Sequence, residues 1–338
     1  MKQISFASAE QSSQKRITRR EKFLAEMEIV VPWQRLLASV QVFYPSGARG
    51  RPPIGLERML RLYFVQQWYG LSDEGVEDAV SDSAAIRQFV GVDLSVEEAP
   101  DATTVLKFRR LLETHQLSRV LLEQINAHLT ERGLLMREGS VVDATLIAAP
   151  PSTKNKAKER DPAMHSTKKG NQWYFGMKAH IGVDAHSGLV HSTHYTSANE
   201  SDVAHTHEVL HGQEQFVCLD AGYQGVEKRP EILQAQALGQ LSDDVVWEVA
   251  AKRGGIKKMA EGTLKDLIKA GEKIKAQIRS KVEHPFHIVK NLFKHKKTRY
   301  KGLAKNGAQL TTLFALSNLV RAKVSLMQPW EQSVCKAG

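Results

Sequence analysis

Residues 141–147 read VVDATLI and place one carboxylate inside an otherwise apolar strand pattern. Because side chains alternate between the two faces of a strand, Asp143 shares its face with Val141, Thr145 and Ile147. Burial of an unpaired charge costs several kcal/mol, so a carboxylate in this place needs a partner. Taken alone, an aspartate in or beside a strand more often has a structural role than a functional one. The run therefore predicts a strand and leaves the role of Asp143 open.

Four more strand patterns follow on the C-terminal side, each rich in β-branched and aromatic residues and bounded by Gly, Asn or Asp. They are WYFGMKAHIGVD at 173–184, LVHSTHY at 189–195, QFVCLD at 215–220 and DVVWEVA at 244–250. Helical patterns around 203–210 and 230–237 separate the later strands, and a long basic helical pattern covers 263–297. This order predicts an α/β fold in which helices pack on the faces of a mixed sheet.

The chain before Gly139 has the periodicity of helices instead. In the run IGLERMLRLYFVQQWYGLSD from Ile54, Gly70 is expected to end one helix and Ser72 to cap the next. Asp101 likewise precedes ATTVLKFRRLLETHQL as an N-cap. These patterns predict a small all-helical domain ahead of the sheet.

Length and charge narrow the class of protein. The 338 residues are 42% hydrophobic and 25% charged, enough for about two domains with buried cores. The net charge is +10, and residues 252–305 hold seventeen Lys and Arg against four acids. This segment suits a polyanionic partner such as nucleic acid, although a solvated helical face explains it equally well. Two cysteines, no signal layout and no apolar run of about 18 residues favour a soluble cytosolic protein without a membrane partner.

Two further acids favour a functional role for Asp143. Asp220 closes the pattern QFVCLD and leads into AGYQG, whose glycines permit a tight turn. Glu283 follows Arg279 by four residues and precedes Lys290 by seven, which places the three within about 40° of one helical stripe. An ordinary surface ion-pair ladder has the same spacing. Pro285 either kinks this helix or starts a new one just after Glu283.

Three carboxylates on separate elements, without Cys or His at zinc-ligand spacing among them, suit a hard divalent ion with oxygen ligands. Two such ions roughly 4 Å apart activate an attacking oxygen and stabilise the leaving oxygen of a phosphodiester. Asp143, Asp220 and Glu283 are therefore the candidate catalytic and metal-binding residues. The expected cofactor is a pair of Mg²⁺ ions, with Mn²⁺ expected to substitute.

These motifs, in this order, resemble the DDE-class insertion-sequence transposases, and specifically the insertion-sequence-five family. The resemblance covers most of the chain. It rests on GRPPIGLERMLRLYFVQQWYGLSD from Gly50, PDATTVLKFRRLLE from Pro100, VDATLIAAPPSTKNK from Val142, KKGNQWYFGMKAHIGVDAHSGL from Lys168, DAGYQG from Asp220 and VEHPFHIVK from Val282.

The resemblance implies an RNase H-like catalytic core preceded by a helical DNA-binding domain. It maps the three family acids onto the three carboxylates above, and the family's phosphate-positioning Arg and Lys onto Arg279 and Lys290. Related enzymes have a Tyr three residues before the Arg, where this chain has Ala276. The phosphate contact made by that Tyr is therefore not expected here.

Other cations are candidate DNA contacts. The lysines at 152–170 directly follow the strand of Asp143, so they are expected near phosphates. The helix after Asp101 has three cations predicted on its solvent side, and residues 14–20 are interpreted as an arm along a DNA groove, although a solvated surface explains both groups nearly as well. The candidates are Lys154, Lys156, Lys168 and Lys169, then Lys107, Arg109 and Arg110, and finally Arg19 and Arg20.

Histidines cluster at His191, His194, His205, His207 and His211. Because no dense Cys/His set at a standard spacing accompanies them, a metal role is not expected for these residues. Lys178 and His180 lie two apart on one face of a predicted strand. From there they could approach the site, but residues in such places more often have only a structural role in the sheet.

The predicted organisation is a basic arm with the first helices at 1–49, a helical DNA-binding domain at 50–135, an RNase H-like catalytic domain at 136–325 and a tail at 326–338. The expected function is binding of an element's terminal inverted repeats in double-stranded DNA, metal-dependent phosphodiester hydrolysis, and strand transfer into target DNA. A homo-oligomer on the DNA of a bacterial cytoplasm is expected. Two alternatives remain open: a nuclease of this fold that does not join DNA, and a non-catalytic DNA-binding regulator derived from a transposase.

Overall fold

The structure is a computed structural model that describes residues 17–47, 52–154, 156 and 158–328. The described chain divides into two compact units. One comprises residues 17–117 with 319–328, and the other comprises residues 118–318.

The first unit is helical over its N-terminal part. Its helices are α1 (Arg19–Val30), α2 (Trp33–Gln41), α3 (Leu56–Tyr69), α4 (Asp73–Asp82), α5 (Ala84–Val90) and α6 (Ala102–Thr114). The predicted boundaries at Gly70, Ser72 and Asp101 are confirmed: Gly70 ends α3 at a φ of 63°, Ser72 accepts a hydrogen bond from Gly75 N at 2.9 Å, and Asp101 accepts one from Thr104 N at 2.7 Å.

Arg19 and Arg20 begin helix α1. The Thr18 hydroxyl accepts a hydrogen bond from Glu21 N at 3.1 Å, and the Glu21 carboxylate accepts one from Thr18 N, which forms a capping box. Arg20 lies 5.3 Å from the centre of the Tyr69 ring. The interpretation of these two arginines as an extended arm is therefore wrong, because their backbone is committed to the helix. Residues 14–16 of the proposed arm lie outside the described residues.

The second unit contains a mixed sheet. Its strands are β1 (Gly139–Ala148), β2 (His165–Lys169), β3 (Gln172–Asp184), β4 (Val190–Ser197), β5 (Phe216–Leu219) and β6 (Val246–Val249). β3 is antiparallel to β1, β2 and β4, whereas β5 is parallel to both β1 and β6. The main sheet order is β4–β3–β1–β5–β6, with β2 on the same edge of β3 as β4. The predicted α/β class, a mixed sheet with a helical N-terminal region, is confirmed and is consistent with an RNase H-like fold.

Helices cover the sheet. They are α7 (Leu117–Glu131), α8 (Pro230–Ala237), α9 (Arg253–Lys258), α10 (Thr263–Arg279), α11 (Glu283–His287) and α12 (Leu303–Met327), of which α12 continues into the first unit. Val142, Val217 and Leu219 of the sheet pack with Ile232 and Ala235 of α8. Residues of α10 contact β5, so the strand that ends at Asp220 is packed between helices.

Three local predictions are wrong. Residues 165–169, interpreted as part of a lysine-rich loop, form strand β2, because pairing with β3 satisfies a backbone whose polar side chains remain exposed. The helical pattern at 203–210 is limited to two 3₁₀ turns, Val203–His205 and His207–Val209. The basic helical pattern at 263–297 is interrupted, and residues 293–297 lie outside its helices.

The interruption occurs beside Glu283. A 3₁₀ turn at Ser280–Val282 follows α10, α11 starts at Glu283, and a π-helical turn covers Ile288–Leu292. Proline lacks an N–H donor but is tolerated in the first turn of a helix. Pro285 is the third residue of α11, so of the two alternatives the sequence left open, a new helix is the one observed.

Candidate active site

Asp143 lies in the middle of β1, beyond the residues that pair with β5. Residues 139–141 pair with β5, but Asp143 pairs only with Ile181 of β3. One carboxylate oxygen of Asp143 accepts a hydrogen bond from Ala144 N at 2.8 Å. In this register Asp143 is level with residue 220, which directly follows β5.

Asp220 stands at the C-terminal end of β5. Its Oδ1 accepts a hydrogen bond from Gly222 N at 2.7 Å and caps the 3₁₀ turn Ala221–Tyr223. A Cβ on Gly222 would lie 2.9 Å from this oxygen, closer than side chains approach one another. The glycine therefore leaves room for the carboxylate in its observed orientation, while the other oxygen remains exposed.

The structure brings Asp220 and Glu283 to Asp143. Burial, helped by the negative charges of Glu283, Asp220 and Asp202 and opposed by the hydrogen bond from Ala144, raises the pKa of Asp143 to about 7. Like charges exert such an effect only at short range, since solvent screens more distant ones. Asp220 and Glu283 therefore lie near enough to Asp143 for their charges to act on it. The three carboxylates are not among the described side chains whose ligand atoms all lie within 4.8 Å of one another, so a shared ion would have to draw them together.

Asp202 is a fourth acid in this pocket that sequence reasoning missed. It follows β4, which runs parallel to β1 and β5 because both β1 and β4 are antiparallel to β3. Carboxyl ends of strands that run the same way meet at one edge of a sheet, and Asp220 occupies the corresponding place after β5. The sequence signal was therefore an acid just after a strand, although this pattern alone is common.

Lys178 holds Asp202 in place. Its ammonium group lies 2.9 Å from Asp202 Oδ1 and donates a hydrogen bond to the Glu200 carbonyl at 2.6 Å. His180 is buried and hydrogen-bonded to Thr196 at 2.8 Å, and burial lowers its pKa to about 3. His180 is thus a satisfied, neutral sheet residue, whereas Lys178 approaches the acidic pocket through Asp202.

Lys290 is the cation that enters the pocket directly. It donates hydrogen bonds to Thr145 Oγ1 at 2.7 Å and to the Leu146 carbonyl at 2.9 Å, both on β1. Burial lowers its pKa, as does the charge of Lys169, while Glu283 and Asp143 oppose the shift. Lys290 therefore lies beside Glu283 and Asp143, with Lys169 next to it, in places suited to the phosphate groups of a bound polyanion.

The site has the donors that a divalent cation requires. The carboxylate oxygens of Asp143, Asp220 and Glu283 would form a hard, all-oxygen ligand set if an ion drew them together, and a bound cation would offset the burial and the repulsion that raise the Asp143 pKa. The Tyr223 hydroxyl is buried beside these acids and has no hydrogen-bond partner among the described residues. Water molecules around a bound ion would supply that partner.

The other candidate cations are more dispersed. Arg279, at the end of α10, lies close enough to Cys218 for its charge to oppose the burial that raises the thiol pKa. Lys168 lies on exposed β2, and Lys154 and Lys156 are exposed in the preceding loop. In the other unit, Lys107 and Arg110 are exposed on α6, and Arg19 and Arg20 are exposed at the start of α1.

Arg109 is the clear exception. Its side chain is only 9% exposed, and its guanidinium group donates to Asp73 Oδ2 at 3.0 Å. The predicted position on the solvent side of α6 is wrong, because Phe108, Arg109 and Leu112 all face the core and the arginine finds an acid there. Arg109 holds α6 against α4 and is no longer a candidate DNA contact.

A family comparison agrees with this geometry. The family model described as "Transposase DDE domain" matches residues 135–319, more than half of the chain. The chain belongs to the DDE transposase family. A second model, described as "Transposase domain (DUF772)", matches residues 11–111. The DDE match spans the whole acidic pocket, and no described helix of this transposase has the length and apolar character needed to cross a membrane.

Proposed function

We propose that this transposase belongs to the insertion-sequence-five family, binds the terminal inverted repeats of its own element in double-stranded DNA, and catalyses metal-dependent phosphodiester hydrolysis and strand transfer. The observation that supports the proposal is that Asp143 is buried within range of the charges of Glu283 and Asp220, so that burial first and these charges second raise its pKa. Such a pocket is costly unless cations occupy it.

The three carboxylates would hold two Mg²⁺ ions, or Mn²⁺ in their place. When bound, these ions supply Lewis-acid stabilisation for the attacking and leaving oxygens of an in-line displacement. In hydrolysis, a water oxygen bonds to phosphorus, the bond from phosphorus to the 3′ oxygen breaks, and that oxygen takes up a proton. In strand transfer at the same site, the freed 3′ oxygen bonds to a phosphorus of the target DNA, the bond from that phosphorus to the target strand's own 3′ oxygen breaks, and the leaving oxygen takes up the proton that the attacking hydroxyl gives up.

Cations of this chain would hold the DNA around the pocket. Lys290 and Lys169 flank the carboxylates, so they are proposed to contact the reacting phosphates. Arg279, Lys168, Lys154 and Lys156 are proposed contacts farther along the backbone. The helical domain at 50–135, through Lys107 and Arg110, and the start of α1, through Arg19 and Arg20, are proposed to bind the element ends. Because two ends must be joined, a homo-oligomer on DNA in the cytoplasm is proposed.

The test uses labelled DNA that carries the ends of the element encoding this chain. The purified chain is incubated with it and a target plasmid, with Mg²⁺ or with EDTA, beside the Asp220→Asn variant. We expect cleaved ends and joined products with the unmodified chain and Mg²⁺ only, while Asp220→Asn still retards the DNA in a gel. The variant keeps the cap on Gly222, because an Asn oxygen accepts the same hydrogen bond.

Each other outcome would support an alternative function or contradict the catalytic assignment. Cleaved ends without joined products would indicate a nuclease of this fold. Specific binding without cleavage by the unmodified chain would indicate a DNA-binding regulator derived from a transposase. Equal cleavage by the Asp220→Asn variant would contradict the assignment of the catalytic carboxylates.

A further inference from the structure

A second cluster of metal-ligand side chains lies outside the acidic pocket. One ligand atom from each of His191, His211 and Glu214 lies within 4.8 Å of the other two. His191 is on β4, and the other two are in the loop before β5. Beside them, Ser140 at the start of β1 lies 2.9 Å from His191 Nε2 and 3.0 Å from Glu214 Oε1.

A bulge in β4 places His191 in this cluster. The β3–β4 register shifts between Gly182 and Val183, so that Gly182 pairs with Ser192, Val183 pairs with Val190, and His191 is the extra residue of a bulge. A Cβ on Gly182 would lie 2.6 Å from Cε1 of the imidazole. The bulge and the glycine together seat the ring against the sheet.

The cluster is on the face of β1 opposite the acidic pocket. Ser140 and Asp143 are three residues apart, so their side chains leave opposite faces of the strand at a separation of roughly 10 Å along it. His191, His211 and Glu214 are therefore separate from the carboxylates of the proposed catalytic site.

Hydrogen bonding leaves one nitrogen in this cluster unpaired. Ser140 has one hydroxyl proton and donates it to Glu214, so His191 donates to Ser140 through Nε2. His211 Nδ1 accepts a hydrogen bond from Gln213 N at 3.1 Å, which assigns the proton of the neutral ring to Nε2. That Nε2 is buried without a hydrogen-bond partner among the described residues, in a side chain only 8% exposed.

The charges around the cluster favour a cation. Glu214 is fully buried, and Asp184 is also buried and interacts electrostatically with His211. Arg137 is the positive group that acts on both histidines. Two carboxylates against one guanidinium leave a net negative charge in a region shielded from water, where a divalent ion gains most.

We propose that His191, His211 and Glu214 bind a structural Zn²⁺ ion. His211 Nε2 and Glu214 Oε1 lie 3.4 Å apart, the separation expected for two ligands each about 2.0 to 2.1 Å from a tetrahedral ion. A metal-bound nitrogen carries no proton, so binding would move the His211 proton from Nε2 to Nδ1 and break the hydrogen bond from Gln213 N, and the ligand nitrogen of His191 must likewise be free of a proton. The Ser140 hydroxyl would then orient Glu214 or a water in the fourth position. Two imidazoles with one carboxylate select Zn²⁺ rather than Mg²⁺, which prefers the all-oxygen pocket.

Such an ion would join two parts of the chain beside a third. It would connect β4 to the loop that leads into β5, next to the start of β1. β5 is short, and its far end carries Asp220. The zinc site would therefore stabilise the placement of Asp220 beside Asp143 without contacting either one. Zinc binding itself does not depend on the proposed transposase activity.

The test is a titration of the chelator-treated full chain with Co²⁺ in excess Mg²⁺, followed by visible absorption. We expect the strong band of tetrahedral Co²⁺ at one ion per chain, and its loss when Zn²⁺ is added. His211→Ala and Glu214→Gln should lack the band. His186→Ala, at an exposed histidine, and Asp143→Asn, in the acidic pocket, should retain it.

Two further measurements test zinc binding even if one of these variants fails to fold. Zn²⁺ should raise the thermal melting temperature of the unmodified chain, and Ser140→Ala should weaken Zn²⁺ binding by about 10-fold without abolishing it. Absence of the tetrahedral band in the unmodified chain, or a band of full strength in folded His211→Ala, would overturn the proposal. Loss of DNA cleavage with the band intact would contradict only the proposed function.

Discussion

The burial of Asp143 has opposite effects on folding and on cation binding. The folded state holds the proton up to a pKa of about 7, whereas an unfolded carboxyl group releases it near 3.8. The contribution of Asp143 to stability is therefore fully present below pH 3.8 and is lost as the pH rises through about 7. A bound cation reverses this cost, because it interacts favourably with the ionised form.

Asp143→Asn should therefore stabilise the cation-free chain at alkaline pH. We expect the free energy of unfolding at pH 8, from urea denaturation in EDTA, to rise by roughly 4 kcal/mol, with no gain at pH 3.5. Asp220→Asn is the matched control, since Asp220 is exposed and should change by less than about 0.5 kcal/mol. Equal stability of the unmodified chain and Asp143→Asn at pH 8 would contradict the burial of this charge.

Gly222 tests how closely the Asp220 carboxylate must be placed. In Gly222→Ala the new Cβ would lie 2.9 Å from Asp220 Oδ1, so the carboxylate must move. We expect DNA cleavage to fall by about 10²-fold, the loss typical of a displacement of roughly 1 Å, with little change in melting temperature. Gly271→Ala, in α10 with open space around it, is the control and should cleave normally. Unchanged cleavage by Gly222→Ala would show that the observed orientation is not required.

At the scale of elements, the ion pair between Arg109 and Asp73 determines how α6 packs on α4. Asp73 is 23% exposed and keeps a hydrogen bond from Gln66 Nε2 at 2.7 Å, so the loss of Arg109 costs roughly 2 kcal/mol, less than the ~3 to 5 kcal/mol of a fully buried pair. Arg109→Met should therefore lower the free energy of unfolding by about that amount, as measured by denaturant titration. Lys107→Met is the matched control on the exposed face of the same helix and should change stability by less than about 0.5 kcal/mol.

DNA binding distinguishes the exposed Lys107 from the buried Arg109. Lys107→Met should weaken binding of the element ends if α6 contacts DNA, whereas folded Arg109→Met should not. A stable Arg109→Met variant with weakened DNA binding would support the solvent-side assignment that the structure rejects.

The strands and the acids were predictable to different extents. The β-branched runs around Val142 and Val217 predicted their strands because both residues are buried in the core. Strand β2 was missed because its HSTKK run is polar and is formed only by pairing with β3. Arg109 was placed on the wrong side of its helix and Asp202 was missed for a related reason: their positions depend on a distant acid and a distant lysine, which periodicity within one element does not reveal.

At the scale of the whole molecule, positive charge is concentrated on one stretch of sequence. Residues 252–305 carry seventeen cations against four acids, and most of those cations are exposed. Binding of DNA by such a surface releases counterions, so affinity falls steeply as salt rises. If six or more phosphates are contacted, we expect a loss of about 10³-fold or more between roughly 50 and 200 mM salt.

Single substitutions assign this salt dependence to residues. Lys296→Gln and Lys301→Gln, both at exposed positions, should together reduce the slope of log affinity against log salt by about two. Lys265→Gln is the control, because Lys265 is buried and paired with Glu261 at 2.5 Å. A slope unaffected by the exposed pair would remove this segment from the DNA-binding surface.

Calorimetric titration of the full chain with Mn²⁺ at pH 8 tests the shared cation pocket most directly. The unmodified chain should bind Mn²⁺, and Asp143→Asn, Asp220→Asn and Glu283→Gln should each weaken binding by at least about 10-fold, while Asp244→Asn, at an exposed acid elsewhere, should not. Unchanged Mn²⁺ affinity in all three pocket variants would contradict the conclusion that these carboxylates form one metal site.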